Sequence, residues 1–166
     1  MDKKIIALIS VFTIFVIGIA IIVAGLGSPK AELQKTKGAN LQTSETNFNF
    51  NNIRYSGGNV SHKYEIRNAG DKDLRIANLA TSCMCTTAYF KEGNKESPVF
   101  GMKGMSAPSN WTGVLKPGET GEIVTVFDPS YHGLSGIGPI QRTISFETND
   151  PDRPYVELSF NGVVVK

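Results

Sequence analysis

The apolar positions fall into two textures. From Ile5 to Leu26 there is no charged residue, and most of the 22 positions are Ile, Val, Leu, Phe, Ala or Gly. A helix needs roughly 20 such residues to cross the hydrocarbon core of a bilayer. The stretch Ser28–Thr46 is polar, with Leu33 and Leu41 its large apolar residues. This predicts a cytoplasmic tail over 1–4, a membrane-spanning signal anchor over 5–26, a flexible polar linker over 27–46 and a folded domain over 47–166. A cleaved signal peptide is the competing reading, but its apolar region would usually run about 7–15 residues.

Beyond Thr46 the apolar residues recur at every second position, the period of a half-buried strand. Phe48 and Phe50 alternate with Asn. Val60, His62, Tyr64 and Ile66 share one face, opposite Lys63, Glu65 and Arg67. Leu74 and Ile76 are in phase and Leu79 is not, which predicts a bulge. Ile140, Arg142, Ile144 and Phe146 fall on one side, and Val156, Leu158 and Phe160 close the pattern. No 3.6-residue apolar stripe appears after residue 46. With the cysteine segment counted as a strand, the domain reads as all-β, an immunoglobulin-like antiparallel β-sandwich of about seven strands.

Charge narrows the function classes. The chain has 166 residues, 19% charged and a formal net charge of +2. It carries no basic field for nucleic acid. Lys and Arg are nearly balanced across the apolar run, so orientation follows from the long C-terminal domain, which is expected outside the cytoplasm. The expected location is therefore a cell membrane, crossed once, with the membrane itself the partner of the N-terminal helix.

Both cysteines lie in "TSCMCTTA", as Cys83 and Cys85. In an extended strand their Cα atoms would stand about 6.6 Å apart, at the edge of the roughly 4.4–6.8 Å that a disulfide spans. A bond between them requires a bent backbone. A metal clip is the other alternative, with His132 as a third candidate ligand. Zinc closes with four ligands, and copper(I) favours thiolates with thioethers. Met102 and Met105 in "GMKGMS" are such thioethers. The expected state is nevertheless packing of two small apolar residues, with both sulfurs on one side of a strand and Met84 on the other.

The order of motifs adds a resemblance. "SCMCTT" precedes "LKPGETGEIVTVFDP", then "HGLSGIGPIQRTISFETNDPDRP", then "VELSFNGVV". This order resembles the bacterial domain-of-unknown-function family 1573, Ig-like domains related to those of the ciliary ASPM, SPD-2 and Hydin proteins. The likeness runs from about Phe48 to Val165. It implies an Ig-like sandwich, usually exported or anchored, and it implies no activity. The family commonly has Gly between its two cysteines, where this chain has Met84. The connection "EGNKESPVFGMKGMSAPSNWTG" is also longer than the family's.

No Ser/His/Asp order, phosphate loop or carboxylate pair for acid–base work is legible, so no catalytic residue is assigned and the chain is read as a non-enzyme. The expected role is binding or scaffolding of a protein partner outside the cytoplasm, with Met102, Met105 and Trp111 as candidate contacts on loops over a rigid frame. The alternative is a small thiol-redox or copper- or zinc-binding domain built on Cys83-Met84-Cys85. His62, on an apolar strand face, is expected to be a satisfied, partly buried histidine.

Overall fold

The computed structural model describes residues 3–25, 30–106 and 108–166. Helix α1 runs Lys3–Gly25. Its stretch Lys4–Ile21 is long and apolar enough to cross a membrane, with none of it buried against protein. The end of the expected anchor at Leu26 and the start of the linker lie outside the described residues.

Among the described residues ten strands follow: β1 (Leu41–Thr43), β2 (Asn47–Arg54), β3 (Val60–Asn68), β4 (Leu74–Thr81), β5 (Thr86–Glu92), β6 (Lys95–Glu96), β7 (Thr112–Leu115), β8 (Thr120–Phe127), β9 (Gly138–Thr148) and β10 (Tyr155–Val165). They form two five-stranded sheets, ordered β1-β3-β8-β5-β6 and β2-β10-β9-β4-β7. Side chains alternate across each strand, and the inward set of both sheets makes one core. Tyr64, Ile66 and Ile123 from one sheet meet Ile76, Ile144, Phe146, Leu158 and Phe160 from the other, all fully buried. Each such side chain contributes about 1.5–3 kcal/mol on leaving water, so this layer dominates the stability of the domain. The result is the immunoglobulin-type sandwich expected from the spacing.

Three details depart from that expectation. The sheets are not purely antiparallel, because β10 pairs with β2 in parallel. The cysteine segment is not a strand: β4 ends at Thr81 and β5 begins at Thr86, and a turn joins them. The polar linker is also shorter than 27–46. Ala39 and Leu41 are buried in the core at 5% and 1% exposure, and β1 pairs with β3. Upstream, Thr36 N–H donates to the Asn149 carbonyl, and Lys30 pairs with Glu147. One leucine among polar residues carries no period, so its burial was not legible. The bulge expected near Leu79 is present: the β4–β9 register shifts between Ala77 and Ala80, and Asn78 takes a positive φ of 55°.

The crossings between the sheets fall at two ends. At one, the turns β3–β4 and β9–β10 and the entry to β1 gather buried Asn68, Asn149 and Asp150. At the other, the β4–β5 turn lies beside the β8–β9 connection, tied by a bond from Asp128 N–H to the Cys85 carbonyl. The cysteines belong to this second end.

Candidate functional site

The turn Ser82–Cys85 crosses from one sheet to the other. Its tightness has local causes. Thr81, buried, donates its hydroxyl toward the carbonyls of Cys83 and Thr86, at 3.0 and 2.9 Å. Thr86 N–H donates to the Cys83 carbonyl at 3.1 Å. Ser82 locks the turn to β9, donating its N–H to the Thr143 carbonyl and accepting the Thr143 N–H at its hydroxyl. Among the described non-glycine residues positive φ is confined to Asn51 and Asn78, so Met84 sits in ordinary backbone where glycine is not required. This accounts for methionine at the position where the resembling family commonly has glycine.

The bend draws the Cα atoms of Cys83 and Cys85 to 5.2 Å, and the two sulfurs are bonded in a disulfide. The expectation of two packed free thiols is corrected here: the turn supplies the bent backbone that an extended strand lacks. Cys85 is buried at 3% exposure, Cys83 is half-buried, and Met84 is exposed.

This cross-link is a weak staple. By the chain-entropy relation a loop so short stabilises by about 1.5 kcal/mol, half the value for fifteen residues.

Two side chains from other elements reach the sulfurs. His132, exposed on the β8–β9 connection just before the short helical turn Gly133–Gly136, puts Nε2 3.3 Å from Cys83 Sγ. Arg142 on β9 donates Nε–H to Cys85 Sγ at 3.1 Å, and its Nη1 reaches the Gln141 carbonyl. Its guanidinium lies over the Phe127 ring at 5.9 Å, a cation–π geometry. Burial pushes Arg142 below its ordinary value, yet a guanidinium stays charged at neutral pH. No carboxylate pairs with it among the described residues. Cys85 N–H also points to Cys83 Sγ at 3.2 Å.

Of the residues singled out from sequence, Cys83, Cys85 and His132 converge: their ligand atoms all lie within 4.8 Å of one another. As found, the sulfurs are bound to each other rather than free as thiolates, and a closed zinc site takes four donors. Any metal would have to follow reduction of the bond. Met102 does not join them. It lines a different cleft, with Leu79, Phe100 and Tyr155, and bridges to Thr81 through the backbone. Met105 is exposed. His62 is satisfied, stacked on Phe48 at 3.6 Å and bonded to Glu45 at 2.8 Å.

Arg142 is the residue that sequence reasoning missed. The signal was present: it is a charged residue in the inward phase of β9, between Ile140 and Ile144.

Trp111 directly precedes β7 and packs on Phe90 and Phe100 with ring centroids 5.8 and 5.6 Å away. Gly113 follows because a Cβ there would meet the Trp111 ring at 2.8 Å and the Phe90 ring at 3.0 Å. β7 is the outer strand of its sheet, paired on one side with β4. A cleft of about 550 Å³ lies at this edge, lined by Phe90, Trp111, Gly113, Val114, Glu96 and Lys116 among others.

The fold and site thus define an Ig-like sandwich with a disulfide-bridged turn at one end. Residues 41–98, from β1 through the cysteine turn to just beyond β6, match the family described as protein of unknown function (DUF1573). This is the family that the cysteine signature resembles. No curated protein matches the chain by sequence. Among solved structures, a protein of unknown function from Porphyromonas gingivalis W83 is similar at 20% identity and TM-score 0.57, over 80% of this chain and 50% of that one. A family 123 glycoside hydrolase from Clostridium perfringens is similar at 8% identity and TM-score 0.50, over 78% of this chain and 27% of that one. The ASH/PapD-like domain 7 of human CEP192 aligns at 15% identity and TM-score 0.47, over 85% of this chain and 96% of that one. The chain therefore spans half the length of the Porphyromonas protein. At these identities the likeness concerns the fold alone.

Proposed function

We propose that this chain is a binding module held at a membrane by its N-terminal helix. The domain stands outside the cytoplasm and receives an extended segment of a protein partner along the free edge of β7. The carrying observation is that edge: outward-facing backbone N–H and C=O groups of an outer strand beside a cleft whose lining includes Phe90 and Trp111. An added strand satisfies such groups, and flanking pockets select its side chains. The length and unburied apolar surface of α1 support the anchor. The disulfide supports an oxidising compartment. The binding role involves no catalytic step.

The test uses the full chain in native membranes. A photo-reactive side chain replaces Val114 at the edge or, as control, Lys63 in the middle of β3. Protease accessibility of the domain is read in the same preparation. The reading expects a domain accessible from the outer side and a discrete protein adduct from position 114 alone. Equal adducts from both positions, or none from 114, would sink the edge proposal. Protection from outside would sink the location.

A further inference from the structure

We propose that the Cys83–Cys85 turn is a thiol–disulfide exchange centre whose substrate is an extracytoplasmic dithiol, with Cys83 the attacked sulfur and Cys85 the leaving one. The inference rests on the β4–β5 turn and not on the β7 edge, takes only the extracytoplasmic location from the reading above, and can be tested without a partner.

The two sulfurs differ in the way exchange requires. Cys83 is half-buried and its sulfur touches the exposed His132, whereas Cys85 is buried. An incoming thiolate therefore meets Cys83 first. The bond it breaks leaves charge on Cys85 Sγ, where Arg142 Nε–H already points at 3.1 Å. A disulfide sulfur is a poor acceptor and a thiolate a strong one. An inward-phase guanidinium with no carboxylate partner among the described residues, given instead to a sulfur, is thus matched to the reduced state. A more stable leaving thiolate departs faster. The bond itself, closing so short a loop, gives little reason to exist as a cross-link.

The step balances as follows. One thiolate of the dithiol attacks Cys83 Sγ, forming a mixed disulfide, and the Cys83–Cys85 bonding pair goes to Cys85 Sγ beside Arg142. The second thiolate of the substrate attacks its own sulfur in the mixed disulfide, and that bonding pair goes to Cys83 Sγ. The substrate leaves as a disulfide, oxidised by two electrons, and the turn is left with two reduced sulfurs. Of the two protons released by the dithiol, one reaches Cys83 by way of His132 Nε2 and the other passes to solvent, while Cys85 stays a thiolate held by Arg142 Nε–H. In the reverse direction His132 takes the Cys83 proton, and Cys83 attacks a disulfide.

The full chain in detergent is equilibrated with dithiothreitol or with graded reduced and oxidised glutathione, and its thiols are counted by alkylation and mass. The expected result is reversible two-electron exchange within the glutathione range and a mixed disulfide trapped on Cys83 in Cys85→Ser. Arg142→Gln should slow reduction about tenfold, the size of one lost charge-assisted hydrogen bond, and Arg142→Lys should recover part of it. His132→Asn should slow reoxidation more than reduction. Circular dichroism confirms that each variant is folded. A bond inert to glutathione at every ratio would overturn the proposal in favour of a fixed cross-link. So would folded variants of Arg142 and His132 with unchanged rates. Stoichiometric uptake of copper(I) or zinc by the reduced chain that blocks reoxidation would replace exchange with metal binding.

Discussion

The two ends of the sandwich are built from polar groups in opposite ways. At the end holding Asn149 and Asp150, polar atoms are buried and each has a fixed backbone partner. Asp150 accepts N–H bonds from Leu41 and Asp152, Asn149 accepts from Arg75 N–H and donates to the Asp73 carbonyl, and Asn68 donates to the carbonyls of Lys72 and Leu115. These bonds stitch β1, β4 and the β9–β10 turn together, which gives "TNDP" a structural reason. At the cysteine end the strong groups are pointed at sulfur and toward solvent: His132 is exposed, and Arg142 has no carboxylate partner among the described residues. Buried polar groups with complete partners rigidify a fold; strong donors aimed at weak acceptors are free to serve another state. The first end fastens β1, β4 and the β9–β10 turn to one another, and the second carries the proposed exchange.

The contrast breaks most visibly at the first end. A chain beginning at Asn47 lacks Ala39 and Leu41 and uncovers Asp150. It should lose roughly 5 kcal/mol relative to one beginning at Lys30, a large part of the usual 5–15 kcal/mol. Urea unfolding of the two chains measures this, and equal midpoints would restore the longer linker. Next in size, Asp150→Ala leaves the buried Leu41 N–H unpaired and should cost about 3 kcal/mol, with the rate of thiol exchange in the folded protein unchanged. A changed exchange rate would mean that the two ends are coupled.

At the second end the effects on stability should be small. Replacing both cysteines with serine should cost about 1–2 kcal/mol, in keeping with the short loop; a loss as large as that of Asp150→Ala would make the disulfide a structural element after all. Smallest of all is Ser130→Ala. The Ser130 hydroxyl and N–H donate to the Asp128 carboxylate and hold it below its ordinary value. A depressed carboxylate contributes stability above its unfolded-state value and loses it as pH falls through the folded one. Removal of the hydroxyl should raise the Asp128 titration, followed by NMR, and flatten this acid-side dependence. An unmoved titration would assign the shift elsewhere.

Much was legible in period and composition, because these follow from which residues leave water. The apolar helix, the inward faces of β3, β9 and β10, the bulge near Leu79 and the satisfied His62 all rest on local pattern. The meeting of Cys83 with His132 was visible as a set of residue types with the right chemistry, but their approach was not, since 49 positions separate them.

By itself the sequence determined a long apolar helix, a two-layer β fold and a lone cysteine pair one residue apart, because hydrophobic period and residue identity are local quantities. Tertiary structure alone decided the rest. Leu41 enters the core because β3 and Asp150 wait for it. Cys83 and Cys85 bond because the crossing between sheets needs a turn where an isolated segment would extend. Arg142 becomes a partner of sulfur because β9 runs beside that turn, a proximity that no spacing along the chain encodes.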